Sequence, residues 1–208
     1  MPKSDPNETG QEQSPEAGLW KSVFSYYYRL MMQCRISLAL LAILWSTPTP
    51  VASADAPRPF DVFHRACLAQ GPDFAAMSTF AVAQRWEQVA LEDFKRLAPL
   101  EDPESASGWL PSDLAIPGKV VIGVTRARLD GRPVETCTVA FTSVPIEAFL
   151  KAFFDRTDAE KLSEERHETW TSRLYVLVSG DRKQFVKLRY APSPNGSGPM
   201  AASSIAEE

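Results

Sequence analysis

The residues of this chain best suited to chemistry are two histidines and two of its three cysteines, His64, His167, Cys67 and Cys137. His64 and Cys67 form an H-x-x-C pair, which puts two potential ligands one helical turn apart on one face. With Cys137 and His167 they would complete a Cys₂His₂ set of the kind that holds zinc. The competing use of the cysteines is a Cys67–Cys137 disulfide, closing a loop of about 70 residues and contributing roughly 4 kcal/mol in the chain-entropy model. A disulfide removes both thiolates, so the two chemistries exclude each other.

Other catalytic patterns are missing from the sequence. There is no G-x-S-x-G elbow, no phosphate-cradling glycine loop, no dinucleotide fingerprint, no C-x-x-C redox pair and no C-x-x-C-H haem site. Glu164, Glu165 and Glu168 cluster as a solvated charge run would, and Glu101 and Asp113 flank Trp109 in an irregular stretch. No spacing singles out an acid–base pair. No catalytic residue, metal or cofactor is therefore assigned, and a binding protein is preferred to an enzyme. The alternative is a small periplasmic hydrolase or metal-dependent enzyme working through His64 or His167.

Binding has one candidate surface and one candidate contact. The alternation of Glu168–Ala191 puts Arg173, Tyr175, Phe185, Lys187 and Arg189 on one sheet face, if a three-residue loop at Gly180–Arg182 sets the register. Cations mixed with aromatic rings suit an anionic or saccharide ligand, held by charge, stacking and cation–π contact. They equally suit an envelope protein partner with the rings at the centre. Trp109 is the candidate contact in the loop at Pro99–Gly118. A net charge of −4 speaks against a general nucleic-acid binder.

The compartment decides between disulfide and metal. Met31–Ala54 reads as a secretory signal: Arg35, a mainly apolar ten-residue run at Ile36–Trp45, and Ala52-Ser53-Ala54 as an A-x-A cleavage pattern. Cleavage is expected after Ala54. The run is short of the roughly 20 residues that span a bilayer, so membrane contact is expected only through this segment if it is retained. Residues 1–30 are a polar extension with acidic and basic residues in near balance, which fits translation starting at Met31 or Met32. An exported chain meets an oxidising compartment, and there a cysteine pair is most simply a disulfide.

The elements that must position these residues are read from periodicity. Pro57–Gln70 is a helix with Phe60, Phe63, Cys67 and Leu68 as its stripe. A second helix starts after Asp73 as N-cap and runs to about Gln88, and Leu91–Leu97 is a short third. Lys119–Ser143 is a hairpin about Asp130-Gly131. Its register sets Val124 opposite Cys137, Ile122 opposite Val139 and Val120 opposite Phe141, with Arg126 opposite Glu135. Pro145–Arg156 is a helix whose Ile146, Phe149, Leu150, Phe153 and Phe154 face the sheet. Thr157–His167 is a short helical piece or loop. The second hairpin is expected to bury Trp170, Leu174, Val176, Val178, Val186, Leu188 and Tyr190. Residues 192–208 lack periodicity and read as a disordered tail. The expected fold is therefore a single α+β domain over 55–191. It is a two-layer arrangement of a four-stranded antiparallel sheet, ββ-α-ββ, preceded by two helices.

F-x-x-x-C at Phe63–Cys67, Gly108-Trp109, and D-G-R with T-C-x-x-x-F between Asp130 and Phe141 together resemble small uncharacterised exported proteins of proteobacteria. The resemblance covers much of Phe60–Tyr190. It implies a periplasmic, secreted or envelope location with no established activity, and carries over no catalytic residues.

Overall fold

A computed structural model describes residues 58–114, 116, 118–180, 182–191 and 195–208. The expected signal segment at 31–54, its expected cleavage position after Ala54 and the polar extension 1–30 lie outside the described residues. No helix among the described residues is long and apolar enough to cross a membrane.

The architecture corrects the expected four-stranded α+β domain, because the chain is mainly β. Eight strands make one antiparallel sheet: β1 (Glu87–Gln88), β2 (Ser105–Leu110), β3 (Val120–Leu129), β4 (Arg132–Pro145), β5 (Glu160–Arg166), β6 (Thr171–Ser179), β7 (Arg182–Tyr190) and β8 (Ser197–Glu207). Their order across the sheet is β1-β2-β3-β4-β8-β7-β6-β5. Three of the four additional strands fall where sequence pattern is weakest. β2 lies in the proline-rich stretch, but Pro103 and Pro111 bracket it rather than interrupt it. β5 is an edge strand with five charged residues of seven, a composition that discourages pairing with another chain.

β8 is the largest correction. The expected disordered tail is the central strand that joins the two hairpins, flanked by β4 and β7. Gly198, Met200, Ala202 and Ser204 share one face of it, and both faces are largely buried. Small side chains fit a strand covered on both sides, although they carry little strand propensity of their own. Pro199 is tolerated for a specific reason. The β4–β8 register shifts between Phe141 and Val144, and Pro199 falls at that irregularity, where its missing N–H breaks no regular ladder.

The first hairpin has the expected register. Val120, Ile122, Val124 and Arg126 lie opposite Phe141, Val139, Cys137 and Glu135. Asp130 and Gly131 both take positive φ, 52° and 79°, as a two-residue turn that matches strand twist requires. The second hairpin is corrected by one residue. Ser179 pairs with Arg182, so Tyr175 lies opposite Val186 and Val176 opposite Phe185. A one-residue slip turns a whole strand over. Tyr175 and Leu177 are therefore buried beside Val186 and Leu188, while Leu174, Val176 and Val178 face the other way.

Three helices cover one face of the sheet. α1 (Pro59–Phe63) starts with proline, whose fixed φ suits a first turn, and continues as a π-helical turn at His64–Leu68. Its expected stripe, Phe60, Phe63, Cys67 and Leu68, is buried. α2 (Phe74–Ala83) begins as expected, with Asp73 accepting from the Ala76 amide at 2.8 Å. α4 (Ile146–Arg156) inserts Phe149 and Phe153 into an aromatic cluster. Phe60 meets Phe149 edge-on at 5.6 Å, and Phe153 meets Tyr175 at 5.2 Å. Each fully buried ring contributes about 1.5–3 kcal/mol.

Cys67 and Cys137 are joined by a disulfide, with Cα atoms 5.2 Å apart. It ties the π-helical turn to the centre of β4, as the phases of both residues predicted. Beside it, Gln184 donates to the Leu68 carbonyl at 3.1 Å and accepts from the Ser204 hydroxyl at 2.6 Å. The end of the turn is thus held to both β7 and β8.

The opposite face is covered in part by α3 (Leu91–Lys95) and the chain that follows it. Phe94 is fully buried over Gly108 of β2 and Gly123 of β3. A Cβ at Gly123 would come within 2.2 Å of the Phe94 ring, so glycine makes the recess that receives it. Leu100 and Phe185 pack against the cluster of Ala127, Val134 and Ile205. Beneath this cover, Thr125 bonds Thr136 at 2.7 Å and Thr138 bonds Ser203 at 2.8 Å, satisfying hydroxyls that burial would otherwise penalise.

Candidate functional site

The five residues expected to form one binding face are divided between two. Arg173 and Tyr175 lie on the helix-covered side, because β6 is turned over by the corrected register. Tyr175 packs on Phe153 and Phe154. Arg173 sits 3.0 Å from a Glu164 oxygen and 5.6 Å from the Tyr190 ring centroid. Phe185, Lys187 and Arg189 lie on the opposite side. There the Lys187 ammonium donates to the Pro99 carbonyl at 3.1 Å. Arg189 stacks 4.7 Å from the Trp170 ring, which in turn stacks on His167 at 3.8 Å. Trp109, the expected loop contact, is instead a buried residue of β2 opposite Ile122.

The metal reading loses its ligands. Cys67 and Cys137 are used in the disulfide, and His64 and His167 belong to separate neighbourhoods. Among the described residues no group of three or more His, Cys, Asp or Glu side chains is placed to hold a metal ion.

Two cavities bring chemically capable side chains together. The smaller, about 440 Å³, is lined by His64 and Leu68 from the π-helical turn, Asp155–Asp158 after α4, and Leu177–Ser179 at the end of β6. π-Helical turns recur at functional positions, and this one is headed by His64. Burial, and then the positive charge of Arg156, lower the His64 pKa below its ordinary value, while Asp61 opposes them. Arg156 itself is paired with Asp61 and lies over the Phe60 ring.

The larger cavity is an open cleft of about 1010 Å³ at the end of the sheet that carries the β3–β4 and β6–β7 turns. Its floor is built from the first hairpin and α2. Glu135 is nearly buried, and it accepts from the Phe74 amide at 2.9 Å and from Arg126 Nε at 2.9 Å. The carboxylate thus sits at the positive end of α2, and Phe74 offers its ring to Arg126 at 4.9 Å. The hydrogen bond from Glu135 is the main reason that the Arg126 pKa is raised. Arg132 is likewise raised, chiefly by its bond to Glu207, at 2.8 Å. Glu208 adds a second carboxylate 3.4 Å from Arg126.

The cleft contains four cations, Arg126, Arg132, Arg182 and Lys183, and four carboxylates, Asp73, Glu135, Glu207 and Glu208. The two sets are not equally occupied. Asp73 caps α2, and the other three acids bind Arg126 and Arg132. Arg182 and Lys183 are exposed and have no carboxylate partner among the described residues. Lys183 lies 5.3 Å over the Phe185 ring. Of the residues first assigned to a binding face, Phe185 alone lines this cleft.

Sequence reasoning missed Arg182, Lys183 and Glu207 because the cleft depends on β8, which has no strand pattern. A weak signal was present. The Arg126–Glu135 pair beyond the apolar hairpin core marked the end of the sheet that carries these charges. The chain matches no family model, no curated protein and no solved structure.

Proposed function

We propose that this chain is an exported, disulfide-stapled binding or interaction protein of the bacterial cell envelope, and that the charged cleft is its ligand site. The observation that carries the reading is the uneven pairing inside the cleft. Three of its acids neutralise Arg126 and Arg132, whereas Arg182 and Lys183 line the cavity with no carboxylate partner among the described residues. A site of this size falls at the upper end of the roughly 300–1,000 Å³ common for ligand pockets. Its four cations equal its four carboxylates in number; what it offers a carboxylate-, sulfate- or phosphate-bearing ligand or an acidic partner is Arg182 and Lys183 beside the Phe185 ring, which no ion pair among the described residues occupies. The exported location is supported by the signal-like segment and by the Cys67–Cys137 disulfide, a bond that persists in oxidising compartments.

The test is retention of the folded chain on a carboxymethyl resin, with salt elution. Wild type should be retained more strongly than R182E/K183E by a wider margin than it exceeds R58E/R65E, which makes the same charge change away from the cleft. Equal shifts for the two variants would reduce the cleft to ordinary surface charge.

A second reading is favoured by one observation, the smaller cavity of about 440 Å³ that gathers His64 with Asp155 and Asp158. It is a hydrolase using His64 as base. Screening ester and phosphoester substrates against wild type and His64→Gln separates the two readings. Turnover lost in the variant would promote catalysis above binding.

A further inference from the structure

We propose that the cleft receives an extended, acidic polypeptide segment that adds to β7 beyond Phe185, where its pairing with β8 stops. This rests on the cleft being a binding site and specifies its occupant. The argument comes from where the sheet divides. β8 is paired to β7 only as far as Ile205 opposite Phe185. Beyond that point β8 continues with β4, through Ala206 opposite Glu135 and Glu207 opposite Val134. The Glu208 amide still donates to the Pro133 carbonyl at 3.3 Å. β7 meanwhile continues with β6 to the Ser179–Arg182 pair. The central ladder therefore forks. Arg182–Gln184 on one side and Ala206–Glu208 on the other are strand residues that no longer pair with each other.

A forked ladder leaves backbone groups on the inner edge of each arm without a strand partner, and unpaired strand edges are templates for an added strand. The two arms differ in charge. On the β8 arm, Glu207 and Glu208 are matched by Arg132 and Arg126. On the β7 arm, Arg182 and Lys183 have no carboxylate partner among the described residues. An incoming segment would have its main chain bonded to the β7 edge and its acidic side chains beside Arg182 and Lys183. Phe185 would provide an apolar contact at the base of the fork. A Cβ at Gly71, whose φ is 75°, would stand 3.7 Å from Arg182 Nη1, and the following Pro72 and Asp73 line the cleft on the α2 side.

The probes are a capped oligoglutamate peptide, whose consecutive acids present carboxylates to both faces of the added strand, its oligolysine counterpart, and free glutamate, each titrated into the whole folded chain. The readouts are affinity and amide hydrogen exchange. The acidic peptide should bind and the basic one should not. At least one amide within Arg182–Gln184 should be protected by the bound peptide. R182E/K183E should weaken binding about tenfold or more, the loss expected for two exposed charge pairs. R182Q/K183Q should give an intermediate loss, with the unfolding midpoint of each variant measured to show that it folds. Binding of the acidic peptide and of glutamate without amide protection would overturn strand addition and leave a charge-binding cleft. Preference for the basic peptide would overturn the acidic occupant. Failure of every probe, together with unchanged resin retention in R182E/K183E, would overturn the cleft as a site altogether.

Discussion

Replacing Gly123 by alanine tests how the second face of the sheet is closed. A Cβ at this position would stand 2.2 and 2.3 Å from two Phe94 ring carbons and 2.6 Å from the Ser107 carbonyl oxygen. The ring has little room to retreat, since a Cβ at Gly108 would already be within 2.6 Å of it. Either the strands shift or Phe94 leaves its recess. Overpacking of this kind costs about 1–3 kcal/mol. Complete expulsion of the ring is bounded by the cost of Phe94→Ala, about 3–5 kcal/mol. Alanine returns only about 0.4–1 kcal/mol by stiffening the unfolded chain. The net expectation is a loss of about 2 kcal/mol for Gly123→Ala. In the Phe94→Ala background the part of that loss caused by the ring should disappear, while the clash with the Ser107 carbonyl oxygen, 2.6 Å from the new Cβ, remains. Urea denaturation of the four proteins of the cycle supplies the numbers. A coupling of about 1–2 kcal/mol is expected, well outside the 0.3–0.5 kcal/mol scatter of independent sites. Additive losses, or a Gly123→Ala chain as stable as wild type, would show that Phe94 does not occupy the glycine recess.

Three further outcomes follow from the same structure. Because burial lowers the His64 pKa, the unfolded chain binds the proton more readily than the folded chain. This contribution to stability is whole above about pH 6.5 and falls as pH drops below it; urea midpoints across that range should show the slope in wild type and lose it in His64→Gln. Glu164, whose pKa is lowered chiefly by its bond to Arg166, acts in a separate window below the ordinary glutamate range. Glu135→Ala should cost about 2 kcal/mol by denaturation, since it removes charged bonds to Arg126 and to the first amide of α2. A chain ending at residue 196 should lose cooperative unfolding by circular dichroism, because β8 is a central strand; a native-like spectrum and sharp transition would contradict its placement.

The first hairpin was legible because two independent signals agree. Asp130-Gly131 fixes the turn, and the apolar alternation fixes the same register, so the opposite charges of Arg126 and Glu135 fall into line. β6 had no such agreement. Leu174, Val176 and Val178 alternate with Tyr175 and Leu177, so both phases are apolar and the pattern cannot choose between them. The choice then rested on the loop length, and one residue too many turned Arg173 and Tyr175 to the wrong side. β8 was hidden by its composition. Alanine, serine and glycine suit a strand enclosed between neighbours, and only those neighbours reveal it. β5 was hidden by its charge, which is what protects an edge. The helix starts were legible from their stripes and caps, as Phe60–Leu68 and Asp73 show, whereas the helix expected to run to about Gln88 stops at Ala83 and Glu87–Gln88 is strand β1. The cleft was not, since it forms where β7 and β8 separate, and that is a property of pairing rather than of either segment alone.

The most direct measurement is the state of Cys67 and Cys137 in the chain recovered from fractionated bacteria expressing it from Met1. Non-reducing peptide mapping should find the two cysteines linked in protein taken from outside the cytoplasm, and sequencing should find its first residue at Asp55. Two freely alkylated thiols in protein retained in the cytoplasm, with Met31–Ala54 still attached, would contradict an exported and stapled binding protein.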